Sequence, residues 1–333
     1  MRVALVGCGR AGSRRAAALS EARLVAVADA VPERARALAA AHEGCRVARD
    51  VHEILDRDRV DVVIAATTPD ALPAVARAAV AAGAHVLVEK PAARTADELR
   101  PLAAEARARG VLVRVGFNLR CHPAVARARD MVAAGAIGPL LYLRARYGHG
   151  GRPGYEREWR CDPALSGGGQ LVDQGVHLVD LARMFGGEVA QADGWLHSFF
   201  WRAPVEDNAF LYLRSVTGVA SWLHASWTEW KNLFSLELIG RDGTLQVDGL
   251  GGSYGPSSLT WHRMGPQMGP PETEITGFGT RDESFAAEWA LFAADLRAGR
   301  RTAPGPGDAI AALEVVERVR ARSAPLEPRE AAR

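Results

Sequence analysis

The sequence predicts an α/β chain: a doubly wound parallel sheet over residues 1–120, then over residues 121–333 an α+β domain built on a large, mostly antiparallel open sheet. Three observations predict it. The first 120 residues alternate short, continuously apolar runs with Ala-, Arg- and Glu-rich runs of helical character, the pattern of a parallel sheet covered on both faces. From Val189 to Val247 the pattern becomes a series of alternating runs separated by turn residues, and all eight tryptophans lie beyond residue 150. At 333 residues, 48% of them hydrophobic, the chain exceeds one typical domain and has ample core material.

In chain order, Val3–Val6 reads as a strand that turns through glycines into a helix over Ser13–Ala22. Leu24–Ala28 is a second strand, ended by Asp29, and Pro32 opens a helix that runs to His42. Val62–Ala66, His85–Glu89 and Val111–Phe117 are further strands, with helices over Ala71–Ala82 and Ala96–Arg109 between them. Right-handed crossovers make this a doubly wound domain. Beyond it, Ala124–Ala134 reads as a helix and Leu140–Tyr147 as a half-buried strand. The runs WLHSFFW, AFLYLRS, GVASWLHASW, LFSLELIG and GTLQV form a strand meander. Gly249–Gly279, rich in Gly, Pro and Ser, reads as loop, and helices over Glu283–Ala298 and Asp308–Ser323 close the chain. The polar tail after Pro325 reads as frayed.

A formal net charge of +2 gives no field that favours nucleic acid or a membrane. No uninterrupted apolar stretch is long enough for a membrane span, and MRVALVGCG lacks the features of a signal peptide. Cys8, Cys45, Cys121 and Cys161 show neither a CxxC pair nor the spacing of a disulfide framework, which fits a reduced, cytoplasmic protein.

Gly7-Cys8-Gly9-Arg10-Ala11-Gly12 follows a strand and opens a helix, and Asp29 ends the next strand. That combination is the dinucleotide fingerprint. Gly7 permits the tight turn, Gly9 lets the backbone approach a pyrophosphate, and Gly12 lets helix and strand pack closely. The helix N-terminus offers unpaired N–H groups to the phosphates. Asp29 suits the ribose hydroxyls and repels a 2′-phosphate, so NAD is favoured over NADP, although Arg34 lies close enough in sequence to relieve that repulsion.

Of 41 Lys and Arg residues only Lys90 and Lys231 are lysines. A lysine kept amid such a bias points to a task guanidinium cannot perform, such as sharing a proton. Lys90-Pro91 follows a strand at its carboxyl end, where open parallel sheets bind ligands. Further on stands Ser166-Gly-Gly-Gly-Gln-Leu-Val-Asp173-Gln-Gly-Val-His177, with Ser166 a candidate cap for a helix that starts in the glycines. Asp173 and His177 are four apart on one helix face. The pair reads either as a carboxylate orienting a general base or as an ordinary solvated helix pair. Gly175 between them is explained by close approach of a substrate or cofactor.

With these segments in view, the chain resembles the Gfo/Idh/MocA family (glucose–fructose oxidoreductase, inositol dehydrogenase and rhizopine-catabolism relatives) over essentially its full length. The segments that carry the resemblance are VGCGRAG, VDVVIAATTP, AGAHVLVEKP and SGGGQLVDQGVHLVDL. It implies a Rossmann domain whose cofactor contacts are Gly7, Gly9, Arg10, Ala11, Gly12, Asp29, Thr67, Thr68, Pro69, Glu89 and Lys90. It also implies that Lys90, Asp173 and His177 surround the reacting carbinol beside the nicotinamide. His177 would take the hydroxyl proton with Asp173 orienting it, while Lys90 stabilises developing charge on the oxygen. The implied reaction is hydride transfer between NAD and a secondary alcohol or ketone of a sugar, cyclitol or sugar derivative. A ketosugar reductase of nucleotide-sugar or antibiotic-sugar biosynthesis and a non-catalytic dinucleotide-binding regulator are the alternatives. The family also implies a homodimer or homotetramer formed through the sheet of the second domain.

Asn118, Arg120 and His122 follow the last strand of the first domain and are candidates for substrate contact or for hinge roles. Arg160 and Asp162 are candidates to line the pocket, whereas His149, His197 and His224 read as structural. Asp173 and His177 lack an evident third ligand, so no metal is expected. The chain departs from many relatives where Leu72 and Pro73 stand in place of a histidine, and where Asn118-Leu119-Arg120 stands in place of Asn-Arg-Arg.

Overall fold

The computed structural model describes residues 1–323. Two compact units form, and the division between them is not a single cut. The first comprises Met1–Asn118 with Phe285–Leu313, and the second Leu119–Ser284 with the residues from Glu314 on. The sequence reading assigned residues 285–313 to the second domain. Packing assigns them to the first, because Trp289 and Phe292 are buried among Leu5, Val27 and Ile64.

In the first unit the elements are β1 (Arg2–Val6), α1 (Arg10–Ala17), β2 (Arg23–Ala28), α2 (Pro32–Ala40), β3 (Arg46–Val47), α3 (Val51–Arg57), β4 (Val62–Ala65), α4 (Leu72–Ala81), β5 (His85–Glu89), α5 (Ala96–Ala108) and β6 (Val113–Gly116). The sheet is wholly parallel in the order β3-β2-β1-β4-β5-β6. Val3, Ala4, Leu5 and the whole of β4 are buried, the mark of a sheet covered on both faces. Strand order reverses between β1 and β4, so the ligand crevice of this topology lies at their carboxyl ends. β3 and α3 had no counterpart in the sequence reading; one has two residues and the other seven, too few to show a period. Asp50 caps α3 by accepting from the Glu53 amide at 2.8 Å. α1 begins at Arg10 rather than Ser13, so Gly12 lies inside it.

The second unit holds α6 (Pro123–Ala133), β7 (Leu140–Gly148), α7 (Pro163–Ser166), a π-helical turn Leu171–Gly175 that runs into α8 (Val176–Gly186), then β8 (Val189–His197), β9 (Asn208–Ser215), β10 (Ala220–Ser226), β11 (Leu233–Gly240), β12 (Gly243–Asp248), β13 (Ser258–Arg263) and β14 (Glu272–Gly277). α9 (Ser284–Ala298) and α10 (Pro306–Arg322) follow, and the division between units falls within α10. The eight strands form one sheet, β14-β13-β12-β11-β7-β10-β9-β8, antiparallel at every neighbouring pair except β7 with β10. β9, β10 and β12 alternate buried and outward residues, as one covered face requires. The other face presents Tyr142, Tyr212 and Trp222.

Gly249–Gly279 is not loop throughout. It contains the β13–β14 hairpin, which extends the sheet. Its glycines and prolines occupy the connections, and β14 is exposed at every position, so no apolar alternation marked it. A polar, charged strand is the ordinary way to blunt a sheet edge. The tail after Pro325 lies outside the described residues.

Candidate functional site

The glycine turn in the first unit assigns each glycine a separate task. Gly7 has φ +98°, and a Cβ there would lie 2.4 Å from the Ala66 backbone. A Cβ on Gly12 would lie 1.9 Å from the Gly7 carbonyl oxygen, so helix and turn touch through this glycine. A Cβ on Gly9 would meet nothing within 4 Å. Gly9 also precedes the first turn of α1, which carries no acidic residue. An open backbone, bare helix amides and positive dipole potential are what a pyrophosphate needs. Asp29 closes the turn: its Oδ2 accepts from the Cys8 amide at 2.6 Å and its Oδ1 from the Val31 amide at 2.7 Å. Each carboxylate oxygen keeps a lone pair for a ribose hydroxyl, and the side chain is only partly buried. The residues thus fit a dinucleotide. Between them, the Cys8 thiol is pushed up to about 12 by burial and then by Asp29, so it is inert.

Thr67, Thr68 and Pro69 follow β4, and the Ala66–Thr67 backbone is the surface that Gly7 abuts. Lys90 follows β5, inside a turn closed by the Ala92 amide on the Glu89 carbonyl at 2.9 Å, with a cis Lys90–Pro91 bond. Ala92 adopts φ +74°, costly for a residue with a Cβ. Because β1, β4 and β5 are neighbours, the glycine turn, the Thr67–Pro69 segment and Lys90 share one edge of the sheet. Glu89 is buried and points inward to Arg15, with Oε1 2.6 Å from Nε. Arg10 is exposed and Ala11 partly so on the first turn of α1, and Asn118 ends this unit in a buried position.

In the second unit, Asp173 lies in the π-helical turn and His177 in the first turn of α8. Arg160 is at Asp173, Nε to Oδ2 3.4 Å, and its guanidinium lies 4.4 Å from the centroid of Trp159. His177 is buried, with its ring edge-on to Tyr147 at 6.0 Å. Tyr147 is hydrogen-bonded with Tyr254, and burial, then that neighbour, hold its phenol well above the ordinary value. The Tyr254 hydroxyl accepts from Gln174 Nε2 at 3.1 Å, and Gln174 Oε1 accepts from Gln170. Nothing in the sequence reading singled out Tyr147, Tyr254, Gln170, Gln174 or Glu206. The one available signal was Gln170 and Gln174, four apart ahead of His177.

Several expectations change here. Ser166 ends α7 and does not cap the helix that carries Asp173; its Oγ donates within its own turn and accepts from the Gly168 amide at 3.2 Å. The capping carboxylate is Glu206, buried, whose Oε1 accepts from the Leu171 amide at 3.0 Å. Gly175 serves packing: a Cβ there would lie 3.3 Å from the Gln170 carbonyl oxygen and 3.6 Å from Ala225 Cβ. The Arg120 guanidinium is held by buried Asp180 of α8 at 2.7 and 2.5 Å. Asp162 caps α7 through the Ala164 amide at 2.9 Å. His122 is buried, and desolvation holds its imidazole below the ordinary value. His149 accepts from the Gly151 amide at 3.0 Å, His224 bonds Asn208 at 2.9 Å, and His197 packs on Phe199, all structural contacts. None of the four cysteines is disulfide-bonded. Among the described residues no group of three or more His, Cys, Asp or Glu is placed to hold a metal, and no helix is long and apolar enough to cross a membrane.

A doubly wound sheet with a dinucleotide turn, joined to a unit with an eight-stranded open sheet, defines an oxidoreductase architecture, and comparison with known proteins names it. Residues 1–117 match the oxidoreductase family with an NAD-binding Rossmann fold, and residues 125–246 the GFO/IDH/MocA C-terminal domain. The chain is 32% identical to dTDP-3,4-didehydro-2,6-dideoxy-alpha-D-glucose 3-reductase of Streptomyces violaceoruber over 96% of its own length and 93% of that protein. The chain belongs to the Gfo/Idh/MocA family of oxidoreductases. It is also 34% identical to inositol 2-dehydrogenase 2 of Saccharopolyspora erythraea, over 66% of this chain and 64% of that relative, just under two thirds of its length. Levoglucosan dehydrogenase solved in complex with NADH shares the fold, with a TM-score of 0.86 at 22% identity over 97% of this chain and 96% of that one.

Proposed function

We propose that this protein is an NAD-dependent dehydrogenase or reductase acting on a secondary alcohol, or the corresponding ketone, of a sugar, cyclitol or sugar derivative. The observation that carries it is the shared edge of the parallel sheet, where the open Gly9 cradle with Asp29 lies on neighbouring strands with Lys90. Gly7, Gly9, Arg10, Ala11, Gly12, Asp29 and Thr67 to Pro69 hold the cofactor. When bound, NAD accepts or returns a hydride. His177 takes or gives the hydroxyl proton, Asp173 orients it and is itself neutralised by Arg160, and Lys90 donates a hydrogen bond to the reacting oxygen. Asn118, Arg120 and Arg160 are proposed on the substrate side; for Arg120 this is through Asp180, which already holds its guanidinium. The near full-length match to a dTDP-sugar 3-reductase favours, as a second reading, reduction of a nucleotide-linked ketosugar.

The outward sheet face with Tyr142, Tyr212 and Trp222 supports a homodimer or homotetramer formed through this sheet. Four cysteines outside any disulfide support a reducing, cytoplasmic setting. The test is a cofactor-reduction and cofactor-oxidation screen over inositols, free sugars, sugar phosphates and nucleotide sugars. Turnover with a polyol or ketosugar is expected, and its absence across all four classes contradicts the proposal. On the substrate found, Lys90→Ala is expected to lower turnover by about 10²-fold or more with NAD affinity nearly unchanged. Full activity in that variant removes Lys90 from the chemistry.

A further inference from the structure

Arg15 lies in α1, one turn beyond Gly12, and is fully buried. Its Nε donates to Glu89 Oε1 at 2.6 Å and its Nη1 to Glu288 Oε2 on α9, with the Phe285 ring 4.6 Å from the guanidinium carbon. Glu288 is also fully buried. Room for the guanidinium comes from Gly116, which pairs with Glu89 across β5 and β6; a Cβ there would lie 2.5 Å from Arg15 Nη2. One arginine thus faces two carboxylates in a dry interior. Such an arrangement stabilises a fold no better than apolar side chains of the same volume, and often worse. The neighbouring pair Arg114–Asp295 also ties α9 to this sheet.

We propose that Arg15 is a positioning residue: it fixes Glu89, and through Glu89 the turn that presents Lys90, to the helix whose N-terminus receives the dinucleotide. Glu89 is the first residue of that turn, since its carbonyl accepts the Ala92 amide and Lys90 lies between. Holding the Glu89 carboxylate fixes how the chain leaves β5. Glu288 holds the far side of the guanidinium, which keeps Nε aimed at Glu89. The helix that carries the cofactor phosphates and the turn that carries the amine thereby move as one piece. Glu89, read from sequence as a cofactor contact, is assigned instead to this inner tie.

This inference rests on the reading of Lys90 as a catalytic group, and the experiment separates the two. Arg15→Lys keeps a buried cation but loses the two directed bonds. Turnover, NAD affinity and melting temperature are measured for Arg15→Lys, Lys90→Ala and the double variant. Arg15→Lys is expected to lower kcat by about tenfold with NAD Kd within about threefold, and the double variant to be no slower than Lys90→Ala alone. If Lys90→Ala is fully active, the functional reading fails. If Lys90→Ala is impaired and the Arg15→Lys loss multiplies onto it in full, or if Arg15→Lys leaves kcat unchanged, the positioning role is overturned. Should Arg15→Lys not fold, Glu89→Ala decides by the same cycle, because it removes the acceptor on β5 while Arg15 keeps Glu288.

Discussion

Two glycine-rich segments of this chain lead into helices, Gly7–Gly12 in the first unit and Gly167–Gly169 in the second, and they do opposite things. In the first, Gly9 opens onto empty space and α1 starts with bare amides. In the second, the protein fills its own cradle. A Cβ on Gly168 would lie 2.1 Å from Arg320 Nη2, and one on Gly169 would lie 2.1 Å from the Glu206 carbonyl oxygen. Each segment is also held by a carboxylate that accepts backbone amides, Asp29 from Cys8 and Val31, and Glu206 from Leu171. Asp29 stays half-open, whereas Glu206 is sealed and faces Arg320. A glycine admits whatever comes closest, ligand or chain, and the atoms around its missing Cβ tell which. By that criterion the second segment is a packing device that sets the helix carrying Asp173 and His177, not a phosphate site.

The largest expected effect breaks the second segment. In Gly169→Ala the new methyl meets Glu206 backbone on two sides, carbonyl oxygen at 2.1 Å and nitrogen at 2.8 Å, and backbone cannot rotate away. A loss of about 3 kcal/mol in urea unfolding is expected. A loss below about 0.5 kcal/mol would mean that the close contact is not enforced. Next in size is the contrasting change, Gly9→Ala. Its φ of −73° suits alanine and its Cβ is unopposed, so stability is expected to hold or rise by about 0.5 kcal/mol. The methyl intrudes where the pyrophosphate approaches, and NAD Kd is expected to rise about tenfold, or about 1.4 kcal/mol. Calorimetric titration checks it, and an unchanged Kd would remove Gly9 from the cofactor site.

Legibility in the sequence followed the range of the interactions. β1, the glycine turn and Asp29 were readable because they lie within thirty residues and show a local period. Lys90 was readable because the scarcity of lysine and a strand end coincide there. The β13–β14 hairpin was not, since β14 is exposed at every position and its neighbours are turn residues. Glu206 and Tyr254 were invisible for a different reason. Glu206 caps Leu171 from thirty-five positions away and Tyr254 reaches Gln174 from eighty, and no window of sequence links them. The buried Arg15 was hidden in the same way, because on α1 it resembles the exposed Arg14 beside it until Glu288 arrives from α9.

The smallest effect sharpens the comparison at the two carboxylates. Asp29→Ser removes the charge that disfavours a 2′-phosphate and shortens the acceptor at the Cys8 and Val31 amides, while leaving Gly7, Gly9 and Gly12 in place. The ratio of kcat/KM for NAD to that for NADP is expected to fall about fivefold, close to 1 kcal/mol. Val31 is exposed, so water replaces the oxygen lost there, whereas Cys8 is buried, so losing the acceptor at its amide is expected to lower stability by about 1 kcal/mol. At Glu206 the same kind of loss falls in a sealed interior and acts on stability. Burial raises the Glu206 carboxyl above its ordinary value, against the pull of Arg320. Its contribution is therefore fully present below the unfolded-state carboxyl pKa and declines as pH rises toward the raised folded value. Comparing Asp29→Ser with Glu206→Gln across that range separates the two roles. The first should change cofactor preference, and the second should flatten the pH dependence of unfolding with cofactor preference intact. A Glu206→Gln variant that altered the NAD to NADP ratio as much as Asp29→Ser would erase the distinction drawn between the two glycine segments.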